Sequence, residues 1–480
     1  MDTKALRQKI LDLAIHGKLV PQDPNDEPAS VLLERIKAEK ERLIKEGKIK
    51  RSKKSAKSSD TPHYENVPFE LPNSWVWCRL EDIAYVASGS TPDKTCFVEN
   101  GVPYIKMYNL RNQKIDFAYH PQYITEEVHN GKLQRSRTEV GDLIMNIVGP
   151  PLGKLAIIPT TLPQANFNQA AVLIRPYKFK EVLVSYLKVY LEEMSEINSI
   201  ATRGSAGQVN ISLTQSQNMR IPIPPLNEVR RIIEEVSKYD ILIDSLKQNI
   251  TDIQNLIAYT KSKILDLAIH GKLVPQDPND EPAIELLKRI NPDFTPCDNR
   301  HSGKLPYEIP KTWVWCSHNS ILDISGGSQP AKSYFETILK PNYIRLYQIR
   351  DYGESPVPVY IPINLASKQT KKGDILLARY GGSLGKVFYA EQGAYNVAMA
   401  KVIFKFENLI YKEFAYYYYL SDLYQGKLKE ISRTAQTGFN ITDFNDMYFP
   451  LPPINEQQRI VQKMEELFSS LDDIQKNLEV

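Results

Sequence analysis

Apolar residues alternate at spacings of four and three through the middle of the chain, and this pattern predicts a long amphipathic helix. They are Ile232, Val236, Tyr239, Ile243, Leu246, Ile250, Ile253 and Ile257, continued by Thr260, Ile264 and Leu267. The same spacing returns near the end of the chain in Ile460, Met464, Leu467, Leu471, Ile474 and Leu478. Heptads sustained in this way predict a coiled coil. Asn227 and Asn455 are the residues that we expect to cap the two helices.

A shorter helical pattern over residues 2–19 predicts the last turns of another helix. Gly17 supplies the left-handed residue with which helices commonly end, and Pro21 blocks continuation. His16 lies in the last turn, where a cation interacts favourably with the helix dipole. We interpret His16 as a cap and not as a ligand.

This helix end belongs to an internal repeat. The segment KILDLAIHGKLVPQDPNDEPA at Lys9–Ala29 recurs without a change at Lys263–Ala283. Identity over 21 residues indicates a tandem duplication, so the chain has to be interpreted as two related halves.

Strand signals follow the repeat in both halves. PFELPNSWVWCRLEDIAYVASGSTP (68–92) corresponds to PYEIPKTWVWCSHNSILDISGGSQP (306–330), and these two segments contain all 4 tryptophans. A Trp-x-Trp pair at strand spacing points both rings to one face, which predicts core anchors. The turns Ser88–Ser90 and Gly326–Ser328 are placed to present Thr91 or Gln329 to a ligand.

Weaker matches continue in the same order. PYIKMYNLR (103–111) and NYIRLYQIR (342–350) alternate as strands do. GDLIMNIVGPPLGK (141–154) and GDILLARYGGSLGK (373–386) each predict two strands joined by a glycine turn. Helices are predicted over 181–199 and 411–426, and the halves close with IPIPPLNE and FPLPPINE.

The two halves join end to end in the alignment. Val480 corresponds to Asp252 in the central helix, and Met1 corresponds to Asn255, so the N-terminal helix supplies what the C-terminal helix lacks. We therefore predict an α+β protein with two similar domains of mixed α/β structure. A long antiparallel coiled coil would separate them, in a pseudo-twofold, circularly closed repeat.

This scheme gives seven segments. They are N-terminal helices (1–36), a basic linker (37–62), a first domain (63–226), the central helix with a short following helix (227–290), a linker (291–304), a second domain (305–454) and a C-terminal helix (455–480).

Composition narrows the class of protein. Four cysteines form no C-x-x-C pair, which favours a reducing compartment, and no segment resembles a signal peptide or a membrane span. We expect a cytoplasmic protein. The net charge of +3 does not by itself indicate a nucleic-acid binder. Seven Lys or Arg lie between Lys45 and Lys57, which we interpret as a solvated linker with a possible non-specific DNA contribution.

Catalytic motifs are missing from the sequence. Both glycine turns fail the phosphate-loop spacing, because Val148 and Tyr380 stand where its first glycine is required. The sequence Asn291–Phe294 (NPDF) departs from a methyltransferase motif, and Cys297 with His301 has no second pair for zinc. We therefore expect a binding protein with no catalytic residues, no metal and no cofactor of its own.

The paired WVWC segments, the two GD…GK segments, the PPLNE and PPINE helix entries and the ILDLAIHGKLVPQ repeat together resemble the DNA-specificity subunits of type I restriction–modification systems. The resemblance covers essentially the whole chain and implies two target-recognition domains that read the halves of an asymmetric bipartite site in double-stranded DNA. It also implies helices that dock two methyltransferase subunits. Those partners would carry S-adenosylmethionine, and further restriction subunits would use ATP and Mg²⁺.

Candidate contact residues are polar side chains beside strand ends and glycine turns. In the first half they are Lys106, Asn109, Arg111, Asn146, Lys154, Arg203 and Gln208. In the second they are Arg345, Gln348, Arg350, Arg379, Lys386, Arg433 and Gln436. For each residue alone, an ordinary solvated side chain is an equally good interpretation. The alternative function is a coiled-coil scaffold that joins two protein-binding domains; a fused nuclease or methyltransferase is disfavoured by the missing motifs.

Overall fold

The computed structural model describes residues 2–50, 67–149, 152–162, 164–193, 210–297, 304–432 and 438–479. The chain divides into two compact units, Met1–Asn249 and Ile250–Val480. Each unit combines helices with several small sheets, so the mixed α/β character predicted for each half is confirmed.

Twelve α-helices lie within these described ranges. They are α1 (Thr3–Ile15), α2 (Ala29–Lys45), α3 (Leu80–Ile83), α4 (Glu126–Asn130), α5 (Lys180–Glu193), α6 (Leu213–Gln217), α7 (Leu226–Ile269), α8 (Ala283–Ile290), α9 (His318–Ile321), α10 (Lys412–Leu420), α11 (Asp422–Ser432) and α12 (Ile454–Glu479). The long helix predicted in the middle of the chain is α7, with 44 residues, and it runs across the boundary between the units.

The strands are short. In the first unit they are β1 (Val76–Arg79), β2 (Ala84–Ser88), β3 (Phe97–Val98), β4 (Val102–Ile105), β5 (Leu110–Arg111), β6 (Lys114–Ile115), β7 (Tyr123–Ile124), β8 (Leu143–Asn146), β9 (Leu155–Ile157), β10 (Asn166–Phe167), β11 (Ala171–Pro176) and β12 (Arg220–Ile223). In the second they are β13 (Val314–Ser317), β14 (Leu322–Gly326), β15 (Tyr343–Tyr347), β16 (Tyr360–Pro362), β17 (Gln369–Thr370), β18 (Ile375–Ala378), β19 (Val387–Tyr389), β20 (Gly393–Tyr395), β21 (Met399–Phe404) and β22 (Tyr448–Leu451).

Sheet topology repeats between the units. Strand β1 pairs with β12 as β13 pairs with β22, and the antiparallel order β2-β11-β8-β9 recurs as β14-β21-β18-β19. A further sheet in each unit contains one parallel pair, β4 with β10 and β15 with β20. The central strands β8 and β18 are buried along their whole length, which fits their nearly continuous apolar sequence.

Equivalent residues build the two main cores. In the first unit Ile10 of α1 joins Trp75 and Ile232 in one buried cluster. In the second unit Ile264, at the same place in the repeat, joins Trp313 and Ile460. The N-terminal copy of the repeated helix therefore packs into the core of the first unit in the same way as the end of α7 packs into the core of the second. All four tryptophans are buried or partly buried, as core anchors should be.

The repeat ends its helix as predicted. Gly17 and Gly271 both have a φ of +66°, in the left-handed region. His16 is the C-cap residue of α1, and its Nδ1 lies 2.7 Å from the carbonyl oxygen of Asp12; His270 makes the same contact with Asp266. The interpretation of His16 as a cap is confirmed.

The predicted N-caps of the long helices are wrong. Helix α7 begins at Leu226 and α12 at Ile454, so Asn227 and Asn455 lie inside the first turn. The carbonyl of Pro225 accepts the first helical bond from the N–H of Val229 at 2.9 Å, and that of Pro453 accepts from Gln457 at 3.0 Å, so the two prolines occupy the N-cap positions.

Two other helix predictions need correction. The helix expected over 411–426 is divided, because Ser421 is extended between α10 and α11 and its hydroxyl donates to the carbonyl of Tyr418. Helix α2 extends to Lys45 and so enters the segment assigned to the linker. Arg42 forms ion pairs with Glu39 and Glu46 one turn away on either side, and such pairs favour continued helix.

A close backbone contact anchors the turn after β2 and its counterpart after β14. A Cβ on Gly89 would lie 2.1 Å from the carbonyl oxygen of Asn168, and one on Gly327 would lie 2.0 Å from that of Asn396. Only glycine fits at these two positions. The turns are thereby fixed against the parallel strand pair.

None of the described helices is long and apolar enough to cross a membrane.

Candidate nucleic-acid interface

An exposed hairpin carries cations in the first unit. Strands β5 and β6 pair with Arg111 opposite Lys114, and the two turn residues Asn112 and Gln113 have φ values of 49° and 57°. Two consecutive left-handed residues match the two-residue turn that follows the twist of a hairpin. Gln113 Oε1 accepts a 2.7 Å hydrogen bond from the backbone N–H of Leu155, which ties the hairpin to β9.

This hairpin forms one wall of an open cleft of about 540 Å³. We call it the hairpin cleft; its lining residues are Tyr108, Leu110, Arg111, Asn112, Gln113, Tyr119 and Lys154. The Arg111 guanidinium lies 4.1 Å from the centre of the Tyr119 ring and 3.7 Å from Asp116. Two candidate contact residues, Arg111 and Lys154, thus share one surface with aromatic rings, a combination suited to binding nucleic acid.

Asn109 has an internal role instead. It is 1% exposed. Its Oδ1 accepts from the N–H of Lys106, and its Nδ2 donates to the carbonyls of Asp116 and Tyr119. Asn109 therefore shapes the loop that carries Arg111, whereas the side chain of Lys106 lies 5.6 Å from the centre of the Phe97 ring.

Asn146 is also buried. Its Oδ1 accepts a hydrogen bond from the backbone N–H of Lys154, which closes the turn between β8 and β9. The Lys154 side chain is then directed into the hairpin cleft. In the first unit, the two candidate asparagines hold the backbone from which the candidate cations project.

The second unit arranges the equivalent segment around Asp351. Arg345 donates to Asp351 Oδ1 at 3.0 Å, and the N–H of Gln348 donates to Asp351 Oδ2 at 2.8 Å. The Arg345 guanidinium also lies between the rings of Tyr347 and Tyr360, 5.3 and 5.7 Å from their centres. Arg350, two residues beyond Gln348, is exposed.

Two polar atoms of this cluster have no partner. Arg345 Nε and Gln348 Nε2 are buried and make no hydrogen bond to any described residue. Buried polar groups are usually satisfied, so these two nitrogens are exceptions within the cluster around Asp351.

Arg379 and Lys386 flank the glycine turn after β18. Arg379 donates to the carbonyl of Phe439 at 3.4 Å, and its guanidinium lies 5.0 Å from the centre of the Tyr380 ring. Lys386 and the turn residues Gly381 and Gly382 are exposed. Arg379 is thus held half-buried by aromatic side chains, beside an accessible backbone turn.

Four candidates lie outside the described residues. They are Arg203, Gln208, Arg433 and Gln436.

Burial along the predicted helix seam is uneven. The buried members are Ile232, Val236, Ile243, Ile257, Ile264, Ile460 and Met464. The half-buried ones are Leu246, Ile250, Thr260, Leu467, Leu471 and Leu478. Tyr239, Ile253, Leu267 and Ile474 are exposed.

The tyrosines of these surfaces remain protonated at neutral pH. Burial raises the pKa of Tyr108 beside the hairpin cleft, and it raises the pKa of Tyr352 in the second unit to about 12. Each hydroxyl therefore keeps its proton, and that of Tyr108 donates to the carbonyl of His120 at 3.2 Å.

The sequence reasoning missed several exposed residues of the first surface. Lys114, Tyr119 and His120 all lie on or beside the β5–β6 hairpin. The signal was available in LRNQKI, where two polar turn residues separate short strands.

Comparison with protein families shows to which family the chain belongs. A family profile described as the type I restriction modification DNA specificity domain matches residues 72–255 and again residues 310–480. The chain belongs to this family. The two matches coincide with the two sets of repeated sheets.

Whole-chain relatives agree with this assignment to the type I specificity family. The type I restriction enzyme EcoEI specificity subunit of Escherichia coli is 28% identical, over 99% of this chain and 91% of that protein. The EcoAI specificity subunit of Escherichia coli is also 28% identical, over 98% of this chain and 90% of that protein.

Solved structures show the same fold. The HsdS subunit from Thermoanaerobacter tengcongensis superposes with a TM-score of 0.52 at 18% identity, over 85% of this chain and 93% of that chain. A chain from a study of assembly and conformational transition of a type I R-M system gives a TM-score of 0.56 at 20% identity, over 86% of this chain and 94% of that chain.

Proposed function

We propose that this member of the type I specificity family reads an asymmetric, bipartite site in double-stranded DNA, one half-site with each unit. The observation that carries the proposal is the repetition of one sheet topology within a single chain, with different polar side chains on each copy. Similar scaffolds fix similar docking, and different side chains select different bases.

Cations on or near the β5–β6 hairpin are the proposed DNA contacts in the first unit. Arg111, Lys154 and Lys106 project from backbone that Asn109 and Asn146 hold in place. We add Lys114, because it lies opposite Arg111 in the hairpin. Arg203 and Gln208 stay in the proposal on their sequence position alone.

In the second unit we propose Arg350, Arg379 and Lys386 as DNA contacts. Arg345 and Gln348 stay in the proposal on their sequence position, and Asp351 accepts a hydrogen bond from each of them. Arg433 and Gln436 again rest on sequence position.

We further propose that the long helices separate the two domains as an antiparallel pair and dock two methyltransferase subunits. The support is a matched pair of contacts within the units. Arg7 donates to Asp240, and the equivalent Lys261 lies 6.0 Å from the ring of Phe468, which occupies the position equivalent to Asp240. In this scheme the chain selects the site in the cytoplasm. S-adenosylmethionine belongs to the methyltransferases, and ATP and Mg²⁺ belong to the restriction subunits.

Arg111→Ala and Arg350→Ala test the division of labour between the units. Loss of one base-reading cation costs roughly 1–3 kcal/mol, so methylation of the native site should fall by about 5- to 150-fold. The adenine methylome of cells carrying each variant should show relaxed sequence at opposite halves of one gapped motif.

The matched controls are Arg35→Ala and Arg289→Ala. These arginines hold equivalent exposed positions after the repeat, and each pairs with a glutamate, Glu27 or Glu281. Both controls should leave the methylome unchanged. If neither Arg111→Ala nor Arg350→Ala alters it, the contact surfaces are misassigned. Binding that is insensitive to salt would favour the scaffold alternative, because phosphate contacts weaken steeply as salt rises.

A further inference from the structure

The first unit contains a second charged cavity, separate in its lining from the hairpin cleft. It has a volume of about 680 Å³ and is bounded by the end of α2, the segment 134–139 and the segment 175–181. We call it the basic cleft. Its cationic lining residues are Lys48, Arg135, Arg137, Arg175, Lys178 and Lys180, and its acidic ones are Glu139 and Glu181.

The cations of the basic cleft fall into two groups. Arg175 and Lys180 are neutralised by Glu139 together with Asp142, whose buried carboxylate lies 2.6 and 2.7 Å from them, and Lys48 pairs with Glu46 at 2.9 Å. Arg135, Arg137 and Lys178 form no ion pair with a carboxylate among the described residues. Of the remaining lining charges three are positive and one, that of Glu181, is negative, so a net positive charge is left for a ligand.

The geometry of these groups suits an extended anion. Arg135 donates to the hydroxyl of Ser90 at 2.8 Å, in the turn fixed by Gly89, so its guanidinium is held at the rim. Tyr85, Tyr177 and Phe179 form aromatic walls. A cleft lined by one sign of charge concentrates oppositely charged ligands, and low-dielectric walls strengthen the effect.

The second unit carries different chemistry at the same position of its sheet. In the first unit Arg175 pairs with Tyr85 across β11 and β2. At the same register of β21 and β14, Ile403 pairs with Asp323. An acidic residue replaces an aromatic one and an apolar residue replaces an arginine, so this chemistry is specific to the first unit.

We propose that the basic cleft binds backbone phosphates of double-stranded DNA outside the bases read by the hairpin cleft. This inference rests on the proposed function, because it requires that the chain binds double-stranded DNA. It adds a sequence-independent contact made by the first unit alone. DNA is favoured over a small anion because the unpaired cations belong to two separate segments of a wide, open cleft.

The test uses the full chain assembled with its methyltransferase subunits. Lys178→Gln and Arg135→Gln are introduced singly and together, with Arg289→Gln on α8 as the control for loss of one exposed charge. Affinity is measured against salt concentration for two duplexes of equal length, one with the methylated motif and one without it.

Each cleft variant should weaken binding about fivefold on both duplexes and reduce the salt slope by about 0.9, the value for one phosphate contact. The double variant should lose two contacts, and the control should lose none. Unchanged thermal unfolding establishes that the variants fold. The ratio of affinities for the two duplexes should stay constant.

Three results would overturn the proposal. An unchanged salt slope in the double variant means that no phosphate is held. A loss confined to the duplex with the motif means that the cleft reads bases. Inorganic phosphate at constant ionic strength that stabilises the wild-type chain but not the variants, with DNA affinity unaltered, assigns the cleft to a small anion. If the wild type shows no site preference, the proposed function fails, while the duplex without the motif still decides the role of the cleft.

Discussion

At the scale of single residues, the glycine that ends the helix in each copy of the repeat packs against a proline. A Cβ on Gly271 would lie 2.4 Å from Pro310 Cγ and 3.0 Å from Trp313 Cζ2, and Gly17 meets Pro72 and Trp75 in the same way. Both conformation and space therefore require glycine here.

Gly271→Ala should destabilise the second unit by about 3 kcal/mol, of which roughly 1 kcal/mol comes from the left-handed φ and the rest from overpacking. The control is Gly373→Ala, because Gly373 has a φ of +82° with no atom within 4 Å of the added Cβ. It should lose only about 1 kcal/mol. Hydrogen exchange of second-unit peptides measures both changes; equal losses would show that the proline contact contributes nothing.

The sequence was sufficient to predict local features of single residues. It was not sufficient to predict which candidate contact residues are exposed. The glycine ends and the histidine cap follow from chain geometry alone. The burial of Asn109 does not, because its three partners, the N–H of Lys106 and the carbonyls of Asp116 and Tyr119, surround its side chain only after the chain folds. Sequence position identified the loop, but tertiary packing decided which of its side chains project.

At the scale of elements, the repeated loop fastens the start of each long helix. Gln22 donates to Glu228 of α7, and Gln276 donates to Glu456 of α12. Arg231 pairs with Asp26, and Arg459 pairs with Asp280, each at 2.6 Å. Identical loop sequences thus make identical contacts with two different helices.

A double-mutant cycle of Asp280→Asn and Arg459→Gln measures this attachment. The Asp280 side chain is 5% exposed, so we expect a coupling energy of about 1–2 kcal/mol in unfolding experiments. The exposed pair Lys463–Glu466 on the same helix should give less than about 0.5 kcal/mol. Equal couplings in the two cycles would contradict a role of the loop in anchoring α12.

Apolar spacing predicted the helices better than it predicted the residues at which they begin and end. Heptad spacing predicted α7, but the N-caps of the two long helices were placed at asparagines, whereas the carbonyls of Pro225 and Pro453 accept the first helical bonds. The break at Ser421 was missed because apolar spacing continues through it, and only the local hydrogen bond to Tyr418 marks the boundary.

At the scale of the whole molecule, two units of one topology have different buried chemistry. The N–H of Leu80 donates to the carbonyl of Met219, and the N–H of His318 donates to that of Met447, both at 2.8 Å. The two residues are equivalent and 0% exposed. Burial lowers the pKa of His318 to about 4, and its Nε2 lies 2.7 Å from the hydroxyl of Tyr419.

The second unit should therefore lose stability in mild acid. The unfolded chain takes up a proton near the ordinary histidine pKa of about 6.5, whereas folded His318 resists protonation until about pH 4. Stability is complete above pH 6.5 and is lost as pH falls toward 4, by about 2 kcal/mol at pH 5.

His318→Leu introduces the residue of the first unit and should remove this part of the pH dependence. Tyr419→Phe is the control, since it deletes the hydrogen-bonding hydroxyl but retains the buried imidazole. Its unfolding free energy should be lower at every pH, with the slope preserved. Identical pH slopes in wild type and His318→Leu would show that His318 does not titrate in this way.

The division of the fold into two units was accessible from the sequence, because a 21-residue identity fixes the alignment of the halves. The basic cleft was not. Its cations come from segments around positions 48, 135 and 178, and only the folded sheet brings them together.

Gly89 and Gly327 have a consequence for how specificity can evolve. A side chain at either position would collide with the carbonyl of an asparagine, so mutation cannot diversify these positions. Their neighbours Ser90 and Ser328 already carry side chains, which hydrogen-bond to Arg135 and Ser367. New DNA specificities would therefore arise by substitution of the residues around these two glycines, while the glycines themselves stay unchanged. Each unit could change its own half of the specificity without affecting the backbone turn of the other.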